Sequence, residues 1–141
     1  FKARVLDLFS GTGSFGIECL SRGAAEVIFF ENYPNSLKIL NRNIFTLKLE
    51  NKSTVYNYNA YNLENSKLEN RIFDIIFLDP PYKDKEFLSI FDNLKKKNIL
   101  KKEHLIILHR EKKTNELPLK LLNILESRIY GRSEIFFLKL L

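Results

Sequence analysis

The sequence has no tryptophan, no methionine and a single cysteine in 141 residues. These scarcities narrow its class before any motif is read. With Cys19 alone, neither an intrachain disulfide nor a cysteine metal cluster can form, and we expect no metal; a reducing, cytoplasmic location is the default expectation. No apolar run approaches the roughly 18 residues of a membrane-spanning helix, so no membrane partner is expected. The opening Phe1-Lys2-Ala3-Arg4 lacks both an initiator Met and the basic-then-apolar layout of a signal peptide. We read the chain as the core of a longer protein whose N-terminal segment is missing. No repeat, linker or low-complexity stretch interrupts it, so residues 1–141 read as one domain, expected to be a monomer.

What is present is basic. Lys and Arg number 23 against 17 Asp and Glu, a net charge of +6. A polyanionic partner such as nucleic acid suits that balance, although a chain crowded with Lys, Asn, Ile and Phe is also what an AT-rich genome encodes.

Two hydrophobic periods alternate along the sequence. Val5–Phe9, Glu26–Glu31, Ser53–Tyr58, Ile72–Leu78 and His104–His109 read as strands. Ser14–Arg22, Pro34 to about Leu49, and Lys85–Lys97 read as helices, with Gly23 as a stop after the first. Tyr61–Arg71 is polar and reads as a loop with a weak helix, and Glu116–Asn123 as at best a short helix. Ile124–Tyr130 and Ser133–Leu140 flank Gly131-Arg132 as a hairpin. Strands alternating with helices imply an α/β fold, a mostly parallel sheet with helices on both faces and a C-terminal antiparallel hairpin. Ligands on such sheets sit beyond the carboxyl ends of the strands. The unusual residues fall there: Gly11 and Gly13 after the first strand, Glu31 at the end of the second, Asn59 after the third, Asp79 at the end of the fourth.

Gly11, Gly13 and Gly16 form G-x-G-x-x-G between a strand and a helix, and Glu31 follows Gly13 by 18 residues. That is near the spacing of an acid that accepts hydrogen bonds from a ribose. The pattern describes an adenosine-bearing cofactor, NAD-like or S-adenosylmethionine. Asp7, inside the strand before the loop, would repel a pyrophosphate and tolerate a sulfonium and an ammonium group, which favours the methyl donor.

The fourth strand ends in Asp79-Pro80-Pro81-Tyr82. Two prolines fix φ and carry no N–H, so this segment can only accept hydrogen bonds. Asp79 adds an acceptor and Tyr82 a flat face. Together they suit a planar group bearing an NH2, such as the exocyclic amine of a nucleobase. With its hydrogens held by Asp79 and the Pro80 carbonyl, such a nitrogen could turn its lone pair toward a methyl group. Tyr82 would stack the base, a contribution of about 1–3 kcal/mol.

The stretches VLDLFSGTGSFGIECLSRGA, FDIIFLDPPY and IYGRSEIFFLKL resemble the bacterial 16S ribosomal RNA guanine-N2 methyltransferases over essentially the whole chain. The resemblance implies a Rossmann-like class I methyltransferase fold and S-adenosylmethionine as cofactor. Its implied partner is 16S rRNA in the small ribosomal subunit or an assembly intermediate. It implies that Asp7, Gly11 and Gly13 hold the methionyl end of the cofactor and Glu31 the ribose, with Phe9 and Asn32 also among the cofactor-binding residues. Asn59 and Ala60 would hold the adenine. Asp79, Pro80, Pro81 and Tyr82 would receive the target guanine, with Asp79 also touching the cofactor. Asn59 stands where the family often has an acid; its side-chain oxygen would take the adenine amine. Three alternatives remain at this level: an N6-adenine or other amino-methyltransferase on DNA or RNA, a cofactor-binding module without catalysis, and, last, a dehydrogenase. His109 and Arg110 lie near the crevice and are expected to be structural. The lysines at 95–97, 101 and 102 read as a solvated face, and Cys19 as core.

Overall fold

The computed structural model describes residues 2–68, 70–112 and 117–141. Seven strands form one sheet: β1 (Arg4–Leu8), β2 (Glu26–Glu31), β3 (Ser53–Asn57), β4 (Phe73–Leu78), β5 (Leu100–Glu111), β6 (Leu122–Tyr130) and β7 (Ser133–Leu140). Their spatial order is β3-β2-β1-β4-β5-β7-β6. The first five are parallel, and β7 runs antiparallel between β5 and β6. Chain direction reverses its march across the sheet at β1, and that switch point opens a crevice beyond the strand ends.

The helices cover both faces, as the apolar periods predict. α1 (Ser14–Ser21) and α2 (Pro34–Thr46) turn Leu20, Leu40 and Ile44 onto Val5, Val27 and Phe29. On the opposite face, α3 (Leu88–Lys97) and a 3-10 turn (Ala60–Asn65) bring Ile90, Phe91, Leu94 and Leu63 onto Leu6, Leu8, Ile28, Ile76 and Leu78. Each such side chain, fully buried, contributes about 1.5–3 kcal/mol. Because β1, β2 and β4 are covered on both faces, they read as continuous apolar runs. No helix of the described residues is long and apolar enough to cross a membrane.

Element boundaries depart from the sequence reading where local bonds intervene. α3 begins at Leu88, three residues later than its apolar stripe predicts. Leu88, Ser89 and Ile90 donate to carbonyls three residues back, so the approach is a tighter turn. α2 stops at Thr46, where Lys48 takes a left-handed φ of 57°. Of the short helix expected at Glu116–Asn123, Glu116 lies outside the described residues. Pro118 to Leu121 form a turn, and Leu122 and Asn123 are drawn into β6 by pairing with Leu140 and Lys139.

The third glycine of the loop is a packing device. A Cβ on Gly16 would lie 2.3 Å from Phe29 Cε1 and 2.8 Å from Val27 Cγ1, so α1 can approach β2 only without it. Gly16→Ala is therefore expected to destabilise the protein by about 1–3 kcal/mol in denaturant unfolding.

Candidate active site

Strand register lines up the residues that follow the core. Leu8 pairs with Phe30 and with Leu78, and Leu78 with Leu108. One residue further along, Phe9, Glu31, Asp79 and His109 form a row across the carboxyl edge of the sheet. A cavity of about 570 Å³ opens above this row. Of the residues singled out in the sequence, Phe9, Gly11, Glu31, Asn32, Asn59, Ala60, Asp79, Pro80, Pro81 and Tyr82 all line it. The glycine turn and the Asp-Pro-Pro-Tyr string thus share one space.

Each wall has a local cause. Ser10 donates its backbone N–H to Phe30 O at 2.9 Å and its hydroxyl to Asp7 O at 2.6 Å, which clamps the turn between β1 and β2. Gly11 has φ +57° and open space where a Cβ would stand, so a ligand can lie directly on its backbone. Its N–H donates to Glu31 Oε2 at 3.1 Å, fixing the carboxylate while leaving the other oxygen available. Phe9 holds a left-handed φ of 60°, a strained conformation for a bulky residue, and packs edge-on against Tyr61 at 5.2 Å.

Two predicted ligand residues sit behind the cavity rather than in it. Gly13 has φ +89°, and a Cβ there would come within 2.4 Å of Leu40 Cδ1; what it admits is α2. Asp7 is completely buried, with Oδ2 accepting from Gly16 N at 3.1 Å and Oδ1 without a hydrogen-bond partner among the described residues. Burial, followed by the charges of Asp79 and Glu31, pushes its carboxyl up to about 8. Glu31 and Asp79 therefore line a crevice that suits a cationic ligand and resists an anionic one, with the protonated Asp7 behind them.

This burial has a consequence for stability. Unfolded, Asp7 loses its proton near pH 4; folded, it keeps the proton until about pH 8. The native state binds more protons across that window, so stability falls as pH rises from 4 to 8, by at most about 1.4 kcal/mol per unit. Urea unfolding of wild type and Asp7→Asn is expected to show the slope in the former and a flatter profile in the latter.

Asn59 caps the 3-10 turn: its Oδ1 accepts from Tyr61 N at 3.0 Å. The oxygen expected to meet an adenine amine is thus already engaged, with one lone pair remaining. Phe30, Tyr33, Tyr58 and Tyr61 also line the cavity and were not singled out. Their signal is position alone: each of the four directly flanks a residue that was named.

Asp-Pro-Pro-Tyr is held from below by β5. Arg110, 2% exposed, reaches under the string and lies over the Phe87 ring at 4.3 Å. Nη1 donates to Pro81 O at 3.0 Å and Pro80 O at 3.3 Å; Nη2 donates to Tyr82 O at 2.7 Å and Asp84 O at 3.3 Å. The Pro80 carbonyl expected to serve a base is therefore partly committed to Arg110. His109 Nδ1 lies 2.8 Å from Asp79 Oδ1, and its ring meets Tyr82 edge-on at 5.7 Å. The expectation that Arg110 is structural fits this scaffold role, but its extent was not legible. At the amino end of the sheet, Lys97 bonds the Glu64 and Ser66 carbonyls and Lys101 bonds Asp74, so these lysines bind the fold. Cys19 is half-buried against the α1–α2 core, and burial pushes its thiol up to about 11.

Comparison with known proteins gives a consistent picture. A family model described as "Conserved hypothetical protein 95" matches residues 1–139. Ribosomal RNA small subunit methyltransferase D of Buchnera aphidicola subsp. Acyrthosiphon pisum is 30% identical over 134 residues, covering 95% of this chain and 69% of that protein. YlbH of Bacillus subtilis, a proposed rRNA methyltransferase, is 32% identical over 116 residues, 82% of this chain and 62% of that protein. The chain thus spans roughly two thirds of the length of these relatives. Among solved structures, a proposed methylase of Haemophilus influenzae superposes with a TM-score of 0.86 at 29% identity, covering 99% of this chain and 88% of that one. The Rossmann-like methyltransferase fold expected from the sequence is the observed one.

Proposed function

This chain belongs to the Conserved hypothetical protein 95 family, alongside bacterial ribosomal RNA methyltransferases, and we propose that it transfers a methyl group from S-adenosylmethionine to the exocyclic N2 amine of a guanine in 16S rRNA. The substrate is the small ribosomal subunit or an assembly intermediate, in the cytoplasm. The observation that carries this reading is the shared cavity, with Glu31 and Asp79 two strands apart in one row and Asp7 buried beneath.

The residues present fit the cofactor. The free oxygen of Glu31 can accept from ribose hydroxyls, the Gly11 backbone leaves room for the chain, and the acidic crevice suits a sulfonium and an ammonium. S-adenosylmethionine, when bound, supplies an electrophilic methyl group. Asp79 Oδ2 accepts one N2–H of the guanine, and the remaining lone pair of the Pro80 carbonyl accepts the other. Tyr82, 44% exposed at the cavity mouth, stacks the base. Held this way, the amine nitrogen can direct its lone pair along the approach to the methyl, and the charge that develops on nitrogen falls beside the Asp79 carboxylate, which then takes the proton. A base handled so must come from a loop or leave its helix.

An N6-adenine reading uses the same residues, and one assay separates the two. Small subunits from a strain lacking the modification are incubated with the protein and labelled S-adenosylmethionine, then digested to nucleosides. Label in N2-methylguanosine is expected. Label in N6-methyladenosine would replace the substrate, and cofactor binding without label would make this a binding module.

A further inference from the structure

We propose that His109 is a positioning residue for methyl transfer, holding both the carboxylate and the aromatic ring that receive the base. This rests on the reading above. His109 follows the Leu78–Leu108 pair of β4 and β5, so it stands beside Asp79 in the row, and its backbone pairs with Ile135 of β7. A strand gripped on both sides gives its side chain a fixed base.

The contacts have one donor assignment. An ionised carboxylate only accepts, so Nδ1 carries the hydrogen and donates to Asp79 Oδ1 at 2.8 Å. One oxygen of Asp79 is thereby pinned, which leaves Oδ2 for whatever enters the cavity that Asp79 lines. The Asp79 side chain is 42% exposed; without this bond it would move among rotamers in water. The same imidazole meets the Tyr82 ring edge-on, at 5.7 Å and 72°, which sets the plane of the ring. His109 touches both the carboxylate and the ring assigned to the base. Its neighbour Arg110 points to the opposite side of the strand and fixes the backbone of the same string. As an exposed ion pair the His109–Asp79 contact would contribute little to stability. Its value lies in orientation, where small displacements of a catalytic group weigh heavily on rate.

The chemistry of the two amide variants makes the test specific. An asparagine side chain can place its N–H where Nδ1–H stands, whereas glutamine places its own nearer to Nε2. His109→Ala is expected to lower kcat roughly 10- to 100-fold, the range of a lost hydrogen bond to a charged group. Affinity for S-adenosylhomocysteine should stay within about twofold. His109→Asn should recover most of the rate, and His109→Gln should not. Wild-type kcat in His109→Ala, or a loss that appears wholly in cofactor affinity, would overturn the proposal.

A second readout does not depend on transfer. The chain has two histidines. His104 donates from Nδ1 to Lys101 O and accepts at Nε2 from Leu140 N, so its tautomer is fixed by partners far from the site. With histidine labelled in its ring nitrogens, nuclear magnetic resonance of the neutral forms should show Nδ1–H on both. Asp79→Ala should return His109, and only His109, to Nε2–H. An Nε2–H signal for wild-type His109 would overturn the contact. Should wild-type protein transfer no methyl group at all, the functional reading falls and the positioning role with it, while the nitrogen spectrum still decides whether His109 holds Asp79.

Discussion

Asp79→Ala is expected to cut methyl transfer by roughly 10²- to 10⁴-fold, the range spanned by loss of an oriented acid–base or charge-stabilising group. Asp79 lines the cavity beside the two prolines, and one of its oxygens is occupied by His109. Alanine removes the acceptor and the proton's destination together. Folding should survive, because the side chain is half in water. Cofactor affinity should change little, since Glu31 and the Gly11 turn are untouched by the substitution. Isothermal titration with S-adenosylhomocysteine and a single-turnover transfer assay, run on the same preparation, check both halves. A large fall in cofactor affinity would contradict the assigned division of labour.

Arg110→Met should strike the fold and the reaction at once. The guanidinium supplies donors to four carbonyls of a segment whose two prolines contribute no N–H, and its flat face rests on Phe87. Removing it strips that donor from all four, leaving only Pro81 O with a backbone partner among the described residues, the Asp84 N–H at 3.1 Å. A buried acceptor left without its donor typically costs about 1–3 kcal/mol. Pro81 and Tyr82 are exposed, so water can reach part of the string and the effect should lie toward the lower value. Arg110→Lys should recover little, because an ammonium is a point and cannot span the same set. The denaturation midpoint measures this directly. A change below about 0.5 kcal/mol would show that the string holds its shape unaided.

The parts of this molecule that were legible in its sequence are those set by near neighbours. Strand and helix periods, the Gly11 turn, Glu31 at its strand end and Asp79 before two prolines all follow from local pattern, and register then brings them into one row. What could not be read depends on contacts between distant segments. Gly13 looks like a ligand glycine in the string, yet its lack of a side chain serves Leu40. Asn59 looks like an adenine contact, yet one lone pair of its oxygen already serves a cap, a choice made by the turn that follows. Arg110 and His109 are 30 residues from the string they hold, and nothing in their own neighbourhood distinguishes them from other strand-end polar residues. The tyrosines at 33, 58 and 61 were hidden because aromatics at strand ends are more often core, and only the geometry of the cavity mouth selects them.

The central claim is that an adenosyl sulfonium lying on the Gly11 turn faces the acceptors after β4. A crystal structure with S-adenosylhomocysteine bound tests it most directly. The account predicts ribose hydroxyls on Glu31 and the sulfur in the space between Gly11 and the Asp79 carboxylate. A ligand seated elsewhere on the molecule, or one with its sulfur turned away from Asp79, would contradict it.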